Sequence, residues 1–253
     1  MRHLLSAGWL ALAGCPHTPV LPVDAAAELR SAGSSTAGLV YEGAVARRDT
    51  EGPTLFRYER RVEDRVDDQR SSHLTRTADG APVVLQQAVH TPLYELVSFR
   101  EVNQQTGLVG QVDVGPDGTA TFRTLVDGRS RLRVEPPGEP LLAGPTLFGF
   151  VLQRWDSLLA GRSLRFRFLV AERRRSFRFE LKRVEGPPGT ICFEMSPIDP
   201  FLALAVPRAE LVFDEDRNLL RYSGAVPPRE ENGDHLKRLD ATVTYERATE
   251  RFR

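Results

Sequence analysis

Few residues of this 253-residue chain are of a type that does chemistry, and their spacing limits what each can do. Cysteine occurs at Cys15 and Cys192; the five histidines are His3, His17, His73, His90 and His235. No two histidines share a helix face at metal-ligand spacing, and there is no Cys-x-x-Cys pair. A glycine-rich phosphate loop and a G-x-S-x-G nucleophile elbow are also absent. Asp214, Asp216 and Asn218 mimic the start of a calcium loop, but Leu219 stands where the glycine is needed and the distal glutamate is missing. That spacing reads as a hairpin turn. The sequence therefore offers no catalytic residue, no metal set and no cofactor. A hydrolase would need the fold to bring His73, His90 or His235 to a serine or an acid in a cleft.

The thiol with a task is Cys15. A short basic start, Met1-Arg2-His3, precedes an apolar run from Leu4 to Ala13, which is a secretory signal pattern. The run is too short to span a bilayer as a stable anchor. It ends in Leu12-Ala13-Gly14-Cys15, which resembles the lipobox of bacterial lipoproteins. That resemblance implies a signal peptide over 1–14, lipid attached to Cys15, and a membrane partner held through the acyl chains. Pro16 follows the cysteine where such lipoproteins often carry an aspartate that retains them at the inner membrane. The expected location is thus the outer membrane, facing the periplasm. Two alternatives stay open: Ala11-Leu12-Ala13 fits a small-x-small cleavage site that would yield a soluble periplasmic protein, and the segment could be an uncleaved anchor. With Cys15 acylated, Cys192 has no partner within the chain and reads as a small buried hydrophobe.

Formal net charge is zero, which argues against nucleic acid as a partner. The apolar fraction of 41% supports a core, and the charged fraction of 27% is ordinary. Residues 15–38 read as a flexible tether: Pro16, Pro19 and Pro22 keep its start extended, Asp24 to Arg30 could form one or two helical turns, and 31–38 is a Ser/Gly spacer. A single domain is expected over 39–247, followed by a tail at 248–253.

That domain reads mainly as strands. Runs near 39–47, 54–64, 70–77, 83–90, 94–103, 108–114, 119–125 and 129–135 are divided by turn residues, among them Pro116-Asp117-Gly118 and Asp127-Gly128. Strands this close in sequence imply an antiparallel meander. One helix interrupts it, over 145–160, with Pro145 at its start and Gly161 beyond its end. Phe148, Val151, Leu152, Trp155, Leu158 and Leu159 recur along it at helical spacing. Beyond it, Leu164–Val170 and Ser176–Lys182 alternate strictly, so that Phe166 and Phe168 share a face, as do Phe177 and Phe179. Arg165, Arg167 and Arg178 point the other way, onto a solvated face balanced by acids. Further strands are expected at 190–195, 208–214, 219–224 and 236–247. Asp199-Pro200 caps a short helix over Phe201–Val206 that is apolar on all sides and expected to be buried as a second plug; 225–235 reads as a polar loop.

These elements suggest a single large antiparallel curved sheet, or open half-barrel, with the helix at 145–160 packed on its concave face. A lipocalin-like closed barrel is the alternative. Over about 39–247 the arrangement resembles the LolA/LolB class of bacterial envelope proteins, and that resemblance implies an apolar cavity for acyl chains. Phe148, Val151, Leu152, Trp155, Phe166, Phe168, Phe177 and Phe179 are then either ligand-lining or core. The expected function is a non-enzymatic, membrane-anchored envelope lipoprotein that binds lipid or another apolar ligand. The alternatives are an assembly factor meeting an envelope protein through its outer surface, and a hydrolase.

Overall fold

The computed structural model describes residues 24–35, 37–50, 52–64 and 69–247. The signal pattern, Cys15 and the residues after 247 lie outside them. Fifteen strands form one sheet. The first eight form a meander: β1 (Leu39–Arg47), β2 (Phe56–Asp64), β3 (Gln69–Thr77), β4 (Pro82–His90), β5 (Leu96–Asn103), β6 (Leu108–Val114), β7 (Ala120–Val126) and β8 (Arg129–Glu135). The short β9 (Leu141–Leu142) leads into helices α2 (Gly144–Gln153) and α3 (Trp155–Leu159). A second meander follows: β10 (Leu164–Val170), β11 (Arg175–Val184), β12 (Ile191–Pro197), β13 (Ala209–Phe213), β14 (Leu219–Asn232) and β15 (His235–Arg247). β15 returns to pair with β1, so the two meanders join into one surface with β8 and β9 at its edges.

The sheet is curved and does not close. Its two edges are joined by residues 136–140, where Pro136, Pro137 and Pro140 lack the N–H that a ladder requires. Side chains span the seam instead. Ser176 Oγ donates to the Glu135 carboxylate at 2.6 Å, and Arg167 Nη1 donates to the Pro136 carbonyl at 2.9 Å. The open half-barrel is thus the architecture, not the closed barrel. β8, the exposed edge, carries Arg129, Arg131 and Arg133, charges that discourage a foreign strand from pairing there. The arginines beyond the helix are matched by acids, as in Arg178 with Glu139 at 2.6 Å and Arg165 with Glu180 at 3.5 Å.

The turns follow the local chemistry. Asp127 and Gly128 both take positive φ, 49° and 72°, in the tight β7–β8 hairpin. In the β13–β14 turn the Asp214 carboxylate accepts from Asn218 N at 2.7 Å and from its Nδ2 at 2.8 Å, which makes a hairpin of the acidic triplet.

Four expectations are corrected. The helix expected over 145–160 is two helices that break at Arg154, whose backbone leaves helical geometry (φ −114°, ψ 16°). Part of the supposed spacer folds as helix α1 (Ala25–Ser34), capped by Asp24 and docked on the convex face with Leu29 against Leu74, Leu85 and Val102. Arg61 and Arg76 cap its far end by donating to the carbonyls of Ala32 and Gly33, each at 2.7 Å. The plug expected over Phe201–Val206 is instead the exposed helix α4 (Pro200–Ala205), in which Phe201 is 84% and Leu204 87% accessible. Six residues on a turn beyond the sheet find no apolar surface to cover. Finally, the polar loop at 225–235 is the arm of the β14–β15 hairpin. Pro227 and Pro228 sit at a bulge between Val226 and Arg229, where the ladder skips a register and no proline N–H is needed. The arm reaches across one end of the half-barrel: Gln105 Nε2 donates to the Arg229 carbonyl at 3.0 Å, and Arg229 pairs with Glu172.

Candidate functional site

Facing residues on paired antiparallel strands share a face, so the register assigns the concave side. β1, β2 and β3 contribute Tyr41, Arg60 and His73 in one row, and Gly43, Tyr58 and Thr75 in the next. β4 and β5 continue these rows with Gln86 and Glu101, then Val84 and Asn103. On the other side of the concavity β10 and β11 contribute Phe166 opposite Phe179 and Phe168 opposite Phe177. β12 and β13 add Phe193 opposite Leu211. The concave face therefore has two unlike halves, one polar and one aromatic.

Helices α2 and α3 lie between them. Their aromatic side is packed: Trp155 meets Phe193 and Phe213 edge-on at 5.2 and 5.1 Å, and Phe150 meets Phe166 at 5.6 Å. All eight predicted apolar positions belong to this cluster. Val151, Trp155, Phe166 and Phe179 are buried in it, while Phe148, Leu152, Phe168 and Phe177 are partly exposed and pack against it. Two contacts hold α2 from the polar side. Gly149 allows the Tyr94 ring onto the helix, since a Cβ there would lie 1.9 Å from Tyr94 Cε1. Arg154 folds back over the Phe150 ring at 3.9 Å and donates to the Leu93 carbonyl at 3.2 Å.

The polar half holds the unusual groups. Arg60 is 2% exposed, and its Nε and Nη1 have no hydrogen-bond partner. Its guanidinium lies 5.0 Å from the centre of the Phe148 ring, and its strongest electrostatic neighbours are Tyr58, Tyr94, Tyr245 and Tyr41. Burying a charge costs several kcal/mol, and a cation–π contact returns only about 0.5–2 kcal/mol of it. Burial accordingly lowers the affinity of Arg60 for its proton. Gly43 makes room here, since its ladder partners Tyr58 and Tyr245 approach across it to 5.5 Å. His73, with Nε2 unpartnered, is held well below the usual histidine range by burial and by the Arg60 charge, so it is neutral. Glu101 accepts from Gln86 Nε2 at 3.3 Å, and burial raises its carboxyl to about 7.

Ser71 Oγ and His90 Nε2 lie 2.9 Å apart, which is nucleophile–base distance. Each residue is 1% exposed, and His90 Nδ1 faces the Thr91 carbonyl at 2.9 Å. The His90 ring also stacks on Tyr94 at 4.5 Å. Imidazole and hydroxyl here satisfy one another beneath the loop that holds α2. His235 is exposed on the hairpin arm, and Cys192 is buried with Thr190 Oγ1 3.7 Å from its sulfur.

Two surface hollows lie elsewhere. One of about 630 Å³ is bordered by Leu159, Gly161 and the 183–190 loop. Another of about 320 Å³ lies over β2–β6 and is lined by Arg61, Arg70, Arg100 and Asp113. Neither is lined by the predicted aromatic residues.

No family profile, curated protein or solved structure matches the chain. Sequence reasoning located the aromatic half of the concavity and the helix and named His73 only as a hydrolase candidate; it missed Arg60, Gln86 and Glu101. A signal was present: Phe56, Tyr58 and Arg60 alternate, which puts the arginine in phase with two aromatic residues.

Proposed function

We propose that this protein is a cell-envelope lipoprotein, tethered to the outer membrane through Cys15, that binds lipid or another apolar ligand in its half-barrel. The observation that carries the reading is the pair of unlike halves under α2 and α3. A core that served only stability would have no use for buried Arg60 and His73 atoms without partners, because each costs free energy. An amphiphile explains both halves: its chain takes the place of the helix side chains and its head meets the polar wall. The ligand enters as α2 withdraws from Tyr41 and Phe213, which Phe148 now contacts at 5.5 and 5.8 Å. The leader supplies the second support, since its lipobox resemblance places the domain beside a source of acyl chains.

One experiment tests both parts. Mass spectrometry of the full chain purified from membranes is expected to show acylated Cys15 and, under native conditions, an additional non-covalent acyl species. Cys15→Ser removes the first and keeps the second. A chain with no covalent lipid and no retained amphiphile would overturn the reading. A second reading is favoured by Phe201 and Leu204 on α4, which stand exposed on the outer surface as a contact for an envelope protein.

A further inference from the structure

We propose that Arg60 is the seat of an oxyanion: the concavity takes an amphiphile with a carboxylate or phosphate head, and the guanidinium binds that head. The inference rests on the apolar-ligand reading above and adds the chemical class of the ligand.

Arg60 projects from the middle of β2, between Tyr41 on β1 and His73 on β3 in the ladder. No carboxylate pairs with it among the described residues, although Arg76, on the opposite face of β3, pairs with Glu59 at 2.6 Å. Its idle donors, Nε and Nη1, lie on different edges of the guanidinium plane, and either can give a charge-assisted hydrogen bond to a carboxylate or phosphate oxygen. Tyrosines surround it, Tyr58, Tyr94, Tyr245 and Tyr41, and the rings of Tyr58 and Tyr245 meet edge-on at 5.5 Å. A neutral head would leave the buried charge uncompensated, and a cationic head would be repelled. A single anion neutralises it. The group now over the guanidinium is Phe148 of α2, so the anion takes the place of Phe148 on the withdrawal of α2 proposed above. The tail then runs toward Phe213, the ring that Phe148 of α2 and Trp155 of α3 now contact.

The test is a titration of the full chain in phosphatidylcholine nanodiscs with dodecanoate, dodecyl phosphate, dodecanol and inorganic phosphate, read by Trp155 fluorescence. Both anionic amphiphiles are expected to bind about ten-fold or more tighter than dodecanol, the size of one charge-assisted hydrogen bond. Arg60→Met is expected to abolish that preference, leave dodecanol binding unchanged and raise the thermal midpoint, because a desolvated charge is gone. The raised midpoint shows that the variant folds; Arg60→Lys, which keeps the charge, is expected to restore part of the preference. Equal binding of acid and alcohol by the wild type, or a preference that survives in Arg60→Met, would overturn the inference and leave the apolar-ligand reading intact. Failure of all three amphiphiles would overturn both. Inorganic phosphate binding as tightly as dodecyl phosphate would assign Arg60 to a free anion and overturn the lipid assignment.

Discussion

Glu101→Gln is expected to stabilise the protein at pH 8 by about 3 kcal/mol and to change nothing at pH 4.5. Glu101 is 8% exposed at the β5 end of the concave polar row, and burial raises its carboxyl from the ordinary 4.5 to about 7. Gln86 offers one hydrogen bond to the charged form, and Arg229 adds some attraction, but the Glu172 charge works against it. The sign follows from the raised value. The folded state holds this proton more tightly than the unfolded chain does. Its contribution to stability is complete below pH 4.5 and is lost as pH rises through about 7. Glutamine resembles the protonated acid in shape and polarity and never ionises, so the variant keeps the contribution at every pH. Urea unfolding of both proteins across this range checks it. A stability difference that does not vary with pH would show that Glu101 is solvated in the folded state.

Phe166→Ala is expected to lower stability by about 3–5 kcal/mol, against roughly 1 kcal/mol for Phe177→Ala. Phe166 is fully buried, between Phe150 of α2 at 5.6 Å and Phe179 at 6.3 Å. Phe177 stands at the end of the same face, is only partly buried and meets Arg175 at 4.9 Å. Removing the Phe166 ring loses its transfer free energy and leaves a void that a rigid sheet on one side and a helix on the other cannot both fill. Denaturant midpoints with unchanged slopes measure the difference. Equal, small losses at the two positions would mean that the helix does not rest on this wall.

The parts of the fold legible in the sequence are those where local pattern and tertiary demand agree. The β10–β11 hairpin alternates strictly over its centre, and its register is the one that alternation requires. The α2–α3 region was legible for a similar reason: its apolar stripe matches a wall of phenylalanines. The misreadings have particular causes. Pro227 and Pro228 look like a break, but a bulge removes the need for their missing donors, so β14 continues through them. The composition of residues 31–35 suggests a spacer, yet side chains of distant strands, Arg61 and Arg76, cap the helix that ends there. Phe201 and Leu204 look buried by composition, and only tertiary placement leaves them outside. In the candidate site, the aromatic half follows periodicity. The polar half does not, because His73, Gln86 and Glu101 come together only across strand registers that the turns set. Arg60 was the exception, its phase with Phe56 and Tyr58 being visible within one strand.

The central claim is that α2 and α3 occupy a place that an apolar chain can take. Trp155 reports on it directly, since the other tryptophan, Trp9, lies within the proposed signal peptide and Trp155 is wedged between Phe193 and Phe213. Titration of the full chain with dodecanol, followed through Trp155 emission, is predicted to give a saturable change at one ligand per chain as the indole leaves those rings. Emission that stays constant at every dodecanol concentration, with the protein folded throughout, would contradict the account and reduce the concavity to a packed core.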